Sequence, residues 1–81
     1  MKLYIVYRDP DGTYAVARLG AIAETVAGPF KTRAVASNHA AWLAGPSAVW
    51  GTWPAAFQVS ANEYADELHV DSLPRECYIV R

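Results

Sequence analysis

The run "KLYIVYRDPDGTYAVARL", Lys2 to Leu19, constrains the fold more than any other part of the chain. Two stretches rich in β-branched and aromatic residues flank Asp9-Pro10-Asp11-Gly12. Pro10 presets the first turn dihedral and Gly12 accepts a positive φ, which predicts a type I turn closed by a glycine bulge. That turn fixes the register. Asp9 stands opposite Thr13, Arg8 opposite Tyr14, Tyr7 opposite Ala15, Val6 opposite Val16, Ile5 opposite Ala17, Tyr4 opposite Arg18, and Leu3 opposite Leu19. The period of two then sorts the side chains. One face carries Leu3, Ile5, Tyr7, Ala15, Ala17 and Leu19, with small alanines where a helix can lie close. The other carries Tyr4, Val6, Arg8, Tyr14, Val16 and Arg18.

The rest of the chain supplies helices and further strands. "AIAETVA" reads either as a short helix stopped at Gly28-Pro29 or as a third strand; Pro29 and the Thr25/Val26 pair favour the extended form. Thr32 is placed to cap a helix "RAVASNHAAWLA" that stops at Gly45, with Pro46 beyond. Its apolar side, Val35, Ala36, His39, Ala40, Trp42 and Leu43, predicts Trp42 in the core. "SANE", Ser60 to Glu63, fits a capping box, and Val59 and Tyr64 fit the hydrophobic staple. The helix predicted there runs from about Ala61 to His69, with Ala61, Tyr64, Ala65 and Leu68 inward. "ECYIVR" after Pro74 reads as a strand joining the hairpin. Together these predict one α+β domain over residues 1–81. A small antiparallel sheet, the N-terminal hairpin plus the C-terminal strand, carries two helices on one face.

All three tryptophans fall within Trp42 to Trp53. An extended "VWGTW" puts Val49, Gly51 and Trp53 on one face and Trp50 on the other. One of the pair is therefore expected in the core, and an exposed Trp50 becomes an anchor for a partner or a second subunit. Self-association also suits a chain of 81 residues, which buries only roughly 60% of its unfolded surface.

Charge narrows the function classes. The net charge is −1, which makes direct nucleic-acid binding by the whole chain unfavourable. Residues 1–33 carry five basic and three acidic side chains, whereas residues 34–81 carry two basic and five acidic. No Asp, Glu, Lys or Arg occurs between Arg33 and Glu63, yet Gly45-Pro46 and Pro54 interrupt that run, so no spanning helix is expected. The N-terminal apolar run is too short for a signal peptide. A single cysteine, Cys77, forms no internal disulfide and fits a reducing compartment. The expected localisation is cytoplasmic.

No pattern of catalytic residues stands out. Cys77 alternates within a strand, His39 follows an apolar helix side, and His69 ends a helix. The spacings of these residues and Asp71 match no metal-ligand pattern. "AGPSAVWG" lacks the lysine and glycines of a phosphate loop. The expectation is a protein without enzymatic activity, cofactor or metal. Two surfaces are candidates for binding. Tyr4, Arg8, Tyr14 and Arg18 place residues enriched at interfaces on one sheet face. Aromatics and arginines on a sheet also suit a platform for single-stranded RNA. Glu63, Asp66, Glu67 and Asp71 form an acidic stripe able to meet a basic groove.

"AGPFKTRAVASNHAAWLAG" locally resembles the strand-to-helix passage of SPOR peptidoglycan-binding domains, with Gly-Pro-Phe followed by an alanine-spaced helix. The likeness covers under a quarter of the chain, and the two strands before it stand in the wrong place for that family. In kind, rather than by motif, the chain resembles the small phage and mobile-element proteins called anti-CRISPRs. These are often single α+β domains that bind an effector complex, sometimes at its DNA-binding groove. The resemblance implies an inhibitor in the host cytoplasm that blocks target-DNA binding by a type I CRISPR effector complex, and it carries over no residue. The alternatives are a small regulatory or antitoxin-like interaction module and an RNA-binding sheet.

Overall fold

A computed structural model describes residues Met1–Arg81, and in it the hairpin forms as β1 (Lys2–Arg8) and β2 (Tyr14–Leu19). The register is the one expected, from Leu3 opposite Leu19 to Arg8 opposite Tyr14. The Asp9 N–H donates to the Thr13 carbonyl at 2.8 Å and the Gly12 N–H to that of Asp9 at 2.9 Å. Gly12 has φ +90°, the bulge conformation that a side chain disfavours. The Asp11 carboxylate accepts from the Thr13 N–H and hydroxyl, which lowers its pKa.

Ala23–Phe30 forms β3, so the extended reading of this segment is the observed one. Beyond it come α1 (Arg33–Ala44), β4 (Val49–Thr52), a single helical turn α2 (Ala55–Gln58), α3 (Ala61–Glu67) and β5 (Glu76–Val80). The fold is α+β: five strands in one antiparallel sheet, ordered β3-β2-β1-β5-β4, with three helices. The C-terminal strand does join the hairpin, against β1. The sheet gains β3 at one edge and β4 at the other.

The helices do not share one face. Leu3, Ile5, Tyr7, Ala15, Ala17, Leu19, Cys77 and Ile79 pack with Trp53 and with Tyr64 and Leu68 from the α3 region. On the other side Val6 and Val16 pack with Ala36 and Ala40 of α1, flanked by Tyr4, Tyr14, Phe30, Leu43 and Tyr78. Two-helix coverage of one face is therefore corrected to a helix layer on each. The physical reason lies on the Tyr/Arg face. Val6 and Val16 are apolar, so this face needs burial too, and the small Ala36 and Ala40 let α1 approach closely.

That packing sets the phase of α1. The inner row is Ala36, Ala40 and Leu43, so Val35 and Trp42 turn to its flank. Trp42 is 75% exposed and Val35 is 53% exposed. The expectation that Trp42 fills the core is overturned. The cap is as expected: the Thr32 hydroxyl accepts from the Val35 N–H at 3.3 Å, and the helix ends at Gly45 with φ +91°.

The start of α3 departs from the sequence pattern. Ser60 makes no side-chain cap, and Val59 is 85% exposed, so neither capping box nor staple forms. α2 runs straight into α3, and Phe57 takes the staple's place, its ring 6.4 Å from that of Tyr64. The helix stops at Glu67 rather than His69. His69 adopts φ +59°, and the Val70 N–H reaches back to Ala65 at 3.0 Å while the His69 N–H reaches Asp66 at 3.1 Å. This is a left-handed C-terminal cap on a non-glycine residue. No helix is long and apolar enough to cross a membrane.

Candidate functional site

The Tyr/Arg face of the hairpin lies under α1. Tyr4 and Tyr14 are half-buried against the Val6–Val16–Ala36–Ala40 cluster. The Arg33 guanidinium sits 5.1 Å from the centre of the Tyr14 ring, a cation–π contact that occupies its outer face. Arg18 pairs with Glu24 of β3 at 2.5 Å, and that hydrogen bond raises the arginine pKa first, with a contribution from Tyr4. Arg8 alone of the four is exposed. The face is thus largely taken up by intramolecular packing, and its tyrosines do not stand open for bases to stack on.

The acidic residues divide. Glu63 and Asp66 are exposed on the outer side of α3, and Asp71 is exposed on the loop that follows. Glu67 is exposed as well, but its Oε2 also accepts the Ala23 N–H at 2.7 Å, across the turn that begins β3. One turn earlier, the Tyr64 hydroxyl donates to the Gly20 carbonyl. These two bonds tie α3 to the β2–β3 loop. Burial raises the Tyr64 pKa, and the charges of Glu67 and Glu63 raise it further.

The tryptophans separate by strand alternation. Trp53 is 5% exposed and packs on Tyr64 at 6.2 Å between ring centres. Its Nε1 is buried without a hydrogen-bond partner, while the Gln58 amide donates to its main-chain carbonyl at 2.9 Å. Trp50 is 50% exposed and meets Tyr78 edge-on at 4.8 Å, on the α1 side of the sheet. One tryptophan in the core and one outside is the expected division. On α1, the rings of Phe30, His39 and Trp42 follow one another at 5.2 and 5.8 Å, which carries an aromatic ridge from β3 out to solvent.

Sequence reasoning missed Trp42 and Val35 as surface residues. The signal was present in the spacing: Val35, His39 and Trp42 recur at four and three residues along one helix flank, beside the alanine row. A helix buried by Ala36 and Ala40 on one side leaves that flank outside.

Two grooves mark the surface. One, of about 670 Å³, lies between the end of β4, α3 and the Ser72–Glu76 segment. The other, of about 620 Å³, joins Arg8 and Asp9 at the hairpin turn to Arg33, His69 and Asp71. Cys77 is fully buried, and desolvation pushes its thiol up to about 11. No group of three or more His, Cys, Asp or Glu side chains is gathered where a metal ion could be held. Comparison with protein-family models, with curated proteins and with solved structures found no match.

Proposed function

We propose that the chain acts by binding another protein and has no catalytic activity of its own. The observation that carries this reading is Trp42, 75% exposed at the crest of the Phe30–His39–Trp42 ridge, with Val35 exposed on the same flank. A tryptophan this exposed costs solubility where it stands, and tryptophan is among the residue types enriched at interface hot spots.

Its specific form is an inhibitor of the anti-CRISPR kind, acting on a type I effector complex in the host cytoplasm. Glu63 and Asp66 on α3 and Asp71 on the loop after it support this: all three are exposed and can approach a basic nucleic-acid groove. The two surfaces make separable contributions. Charge on a rim mainly sets the association rate, whereas a buried aromatic anchor sets residence time.

The test is a mobility-shift assay of target DNA by purified type I effector complexes, with and without the chain. Saturating chain is expected to abolish the shift. Glu63→Lys with Asp66→Lys is expected to slow association and weaken its salt dependence. Trp42→Ser is expected to weaken affinity some thirty-fold, about 2 kcal/mol. An unaltered DNA shift at saturating chain refutes the effector reading. Full retention of inhibition by both variants refutes these surfaces.

A further inference from the structure

The two edges of the sheet are built differently. β3 carries Glu24 in an ion pair with Arg18, two breaks in its register against β2, and Pro29 near its end. Such features discourage a further strand from adding. β4 has none of them. "VWGT" holds no charge and no proline, and the uncharged run extends from Ala34 to Asn62. The Trp53 N–H donates to the Arg75 carbonyl at 3.2 Å, and Gly51 stands opposite Cys77. Backbone groups alternate sides along an antiparallel strand. Those of Trp50 and Thr52 therefore point away from β5, to the side where no neighbouring strand stands.

We propose that β4 pairs antiparallel with β4 of a second copy of this chain, about a two-fold axis at Gly51, joining two five-stranded sheets into one. In this register the Trp50 N–H and carbonyl meet the carbonyl and N–H of Thr52 in the second copy, and symmetry repeats the exchange. A two-fold brings an edge against itself, so any charge near the axis would face its own image. The charge-free run removes that repulsion. Gly51 places no side chain at the axis. Trp50 then lies across from Thr52 on the α1 side, and Val49, 54% exposed, lies across from Trp53 on the α3 side.

The size of the edge sets the strength. β4 is four residues long, so strand addition along it makes a small contact, below the roughly 1,200 Å² where standard interfaces begin and in the class of weak, transient ones. A contact of this size predicts a reversible dimer that forms only as the concentration rises. It goes beyond the binding reading above and does not depend on it. The aromatic ridge lies on the β3 side of α1, and the acidic residues lie on α3, so a dimer presents each surface twice.

Sedimentation equilibrium of the full chain, from about 10 µM to about 1 mM, tests the proposal. The mass is expected to rise from 8.9 kDa toward twice that value. Thr52→Pro removes an outward N–H without touching the β4–β5 ladder, and Thr52→Lys sets like charges beside the axis. Both are expected to stay monomeric, with a far-ultraviolet circular dichroism spectrum like that of the parent chain. Should the proline variant unfold, the lysine variant decides. Trp42→Ser is expected to dimerise as the parent does. Amide exchange at Trp50 and Thr52 is expected to slow with concentration while that of Gly51 does not change. A parent chain that stays at 8.9 kDa throughout overturns the proposal, as does dimerisation that survives both Thr52 variants or vanishes in Trp42→Ser.

Discussion

Replacing Gly28 by alanine separates two reasons for a glycine, because two other glycines serve as controls. Gly28 has φ +132°, and a Cβ built on it would lie 3.0 Å from the Ala15 Cβ, 3.2 Å from the Ala15 Cα and 3.3 Å from the Tyr14 carbonyl oxygen. Two of those three atoms are backbone, so the hairpin cannot yield without moving β2. Gly45 has φ +91° with open space around its Cβ, and Gly20 has neither a positive φ nor a neighbour. An L side chain in these unfavourable regions costs about 1–3 kcal/mol. Overpacking adds about 1–3 kcal/mol, and the reduced freedom of the unfolded chain returns about 0.4–1 kcal/mol. Gly28→Ala is thus expected to lose about 3 kcal/mol within a range of about 1–6 kcal/mol, Gly45→Ala about 1 kcal/mol, and Gly20→Ala to gain about 0.4–1 kcal/mol. Against a total stability of roughly 4–12 kcal/mol for a chain of this length, the first is a severe loss. Urea unfolding followed by tryptophan fluorescence measures it. At a slope near 1 kcal/mol per molar, the Gly28→Ala midpoint falls by roughly 3 M, while the slope itself holds. Pairing Gly28→Ala with Ala15→Gly removes the closest clash, so the double variant is expected to lose less than the sum of the singles. If Gly28→Ala proves no worse than Gly45→Ala, the close approach of β3 to β2 is not what the glycine serves, and the reasoning fails.

On the α3 side of the sheet, His69→Gly removes the cost of a left-handed histidine at the helix end. It is expected to stabilise by about 0.5–1 kcal/mol, raising the melting temperature by a few degrees; a lower melting temperature would count against the cap. Stability is also expected to fall in alkali. The buried Cys77 keeps its proton to about 11, whereas the unfolded thiol loses it near 9.0, so the native state binds more protons between those values. One such proton lowers stability by up to about 1.4 kcal/mol per pH unit across that window. The raised hydroxyls of Tyr7 and Tyr64 act in the same direction at higher pH. Cys77→Ala is expected to flatten the decline between pH 9 and 11 in urea midpoints measured at stepped pH, and an unchanged decline would exclude the thiol as its source.

Local rules were enough for the hairpin. Turn chemistry at Asp9-Pro10-Asp11-Gly12 set its register, and the period of two then placed Leu3, Ile5 and Tyr7 together. The Thr32 cap, the Gly45 stop and the inward Tyr64 and Leu68 were legible for the same reason: each depends on a few neighbouring residues. The same alternation requires that Trp50 and Trp53 part company, and the sheet buries Trp53 while leaving Trp50 half outside.

What the local rules could not reach was competition between segments for the same partner. Ser60 and Glu63 match a capping box, but α2 delivers Phe57 to Tyr64 and the box stays open. Glu67 has the sequence of a solvated carboxylate, yet the turn ahead of β3 brings the Ala23 N–H to it. The uncharged middle of the chain showed where a surface would be plain, and only the strand order put β4 at an open edge and β3 at a blunted one. Residues Lys2 to Leu19 by themselves determined a hairpin with one apolar face and one mixed face of tyrosine, valine and arginine. Which helix covers each face was decided by the tertiary structure, because Val6 and Val16 accept whichever apolar row reaches them, and the row that reaches them is Ala36–Ala40, which leaves Trp42 facing outward.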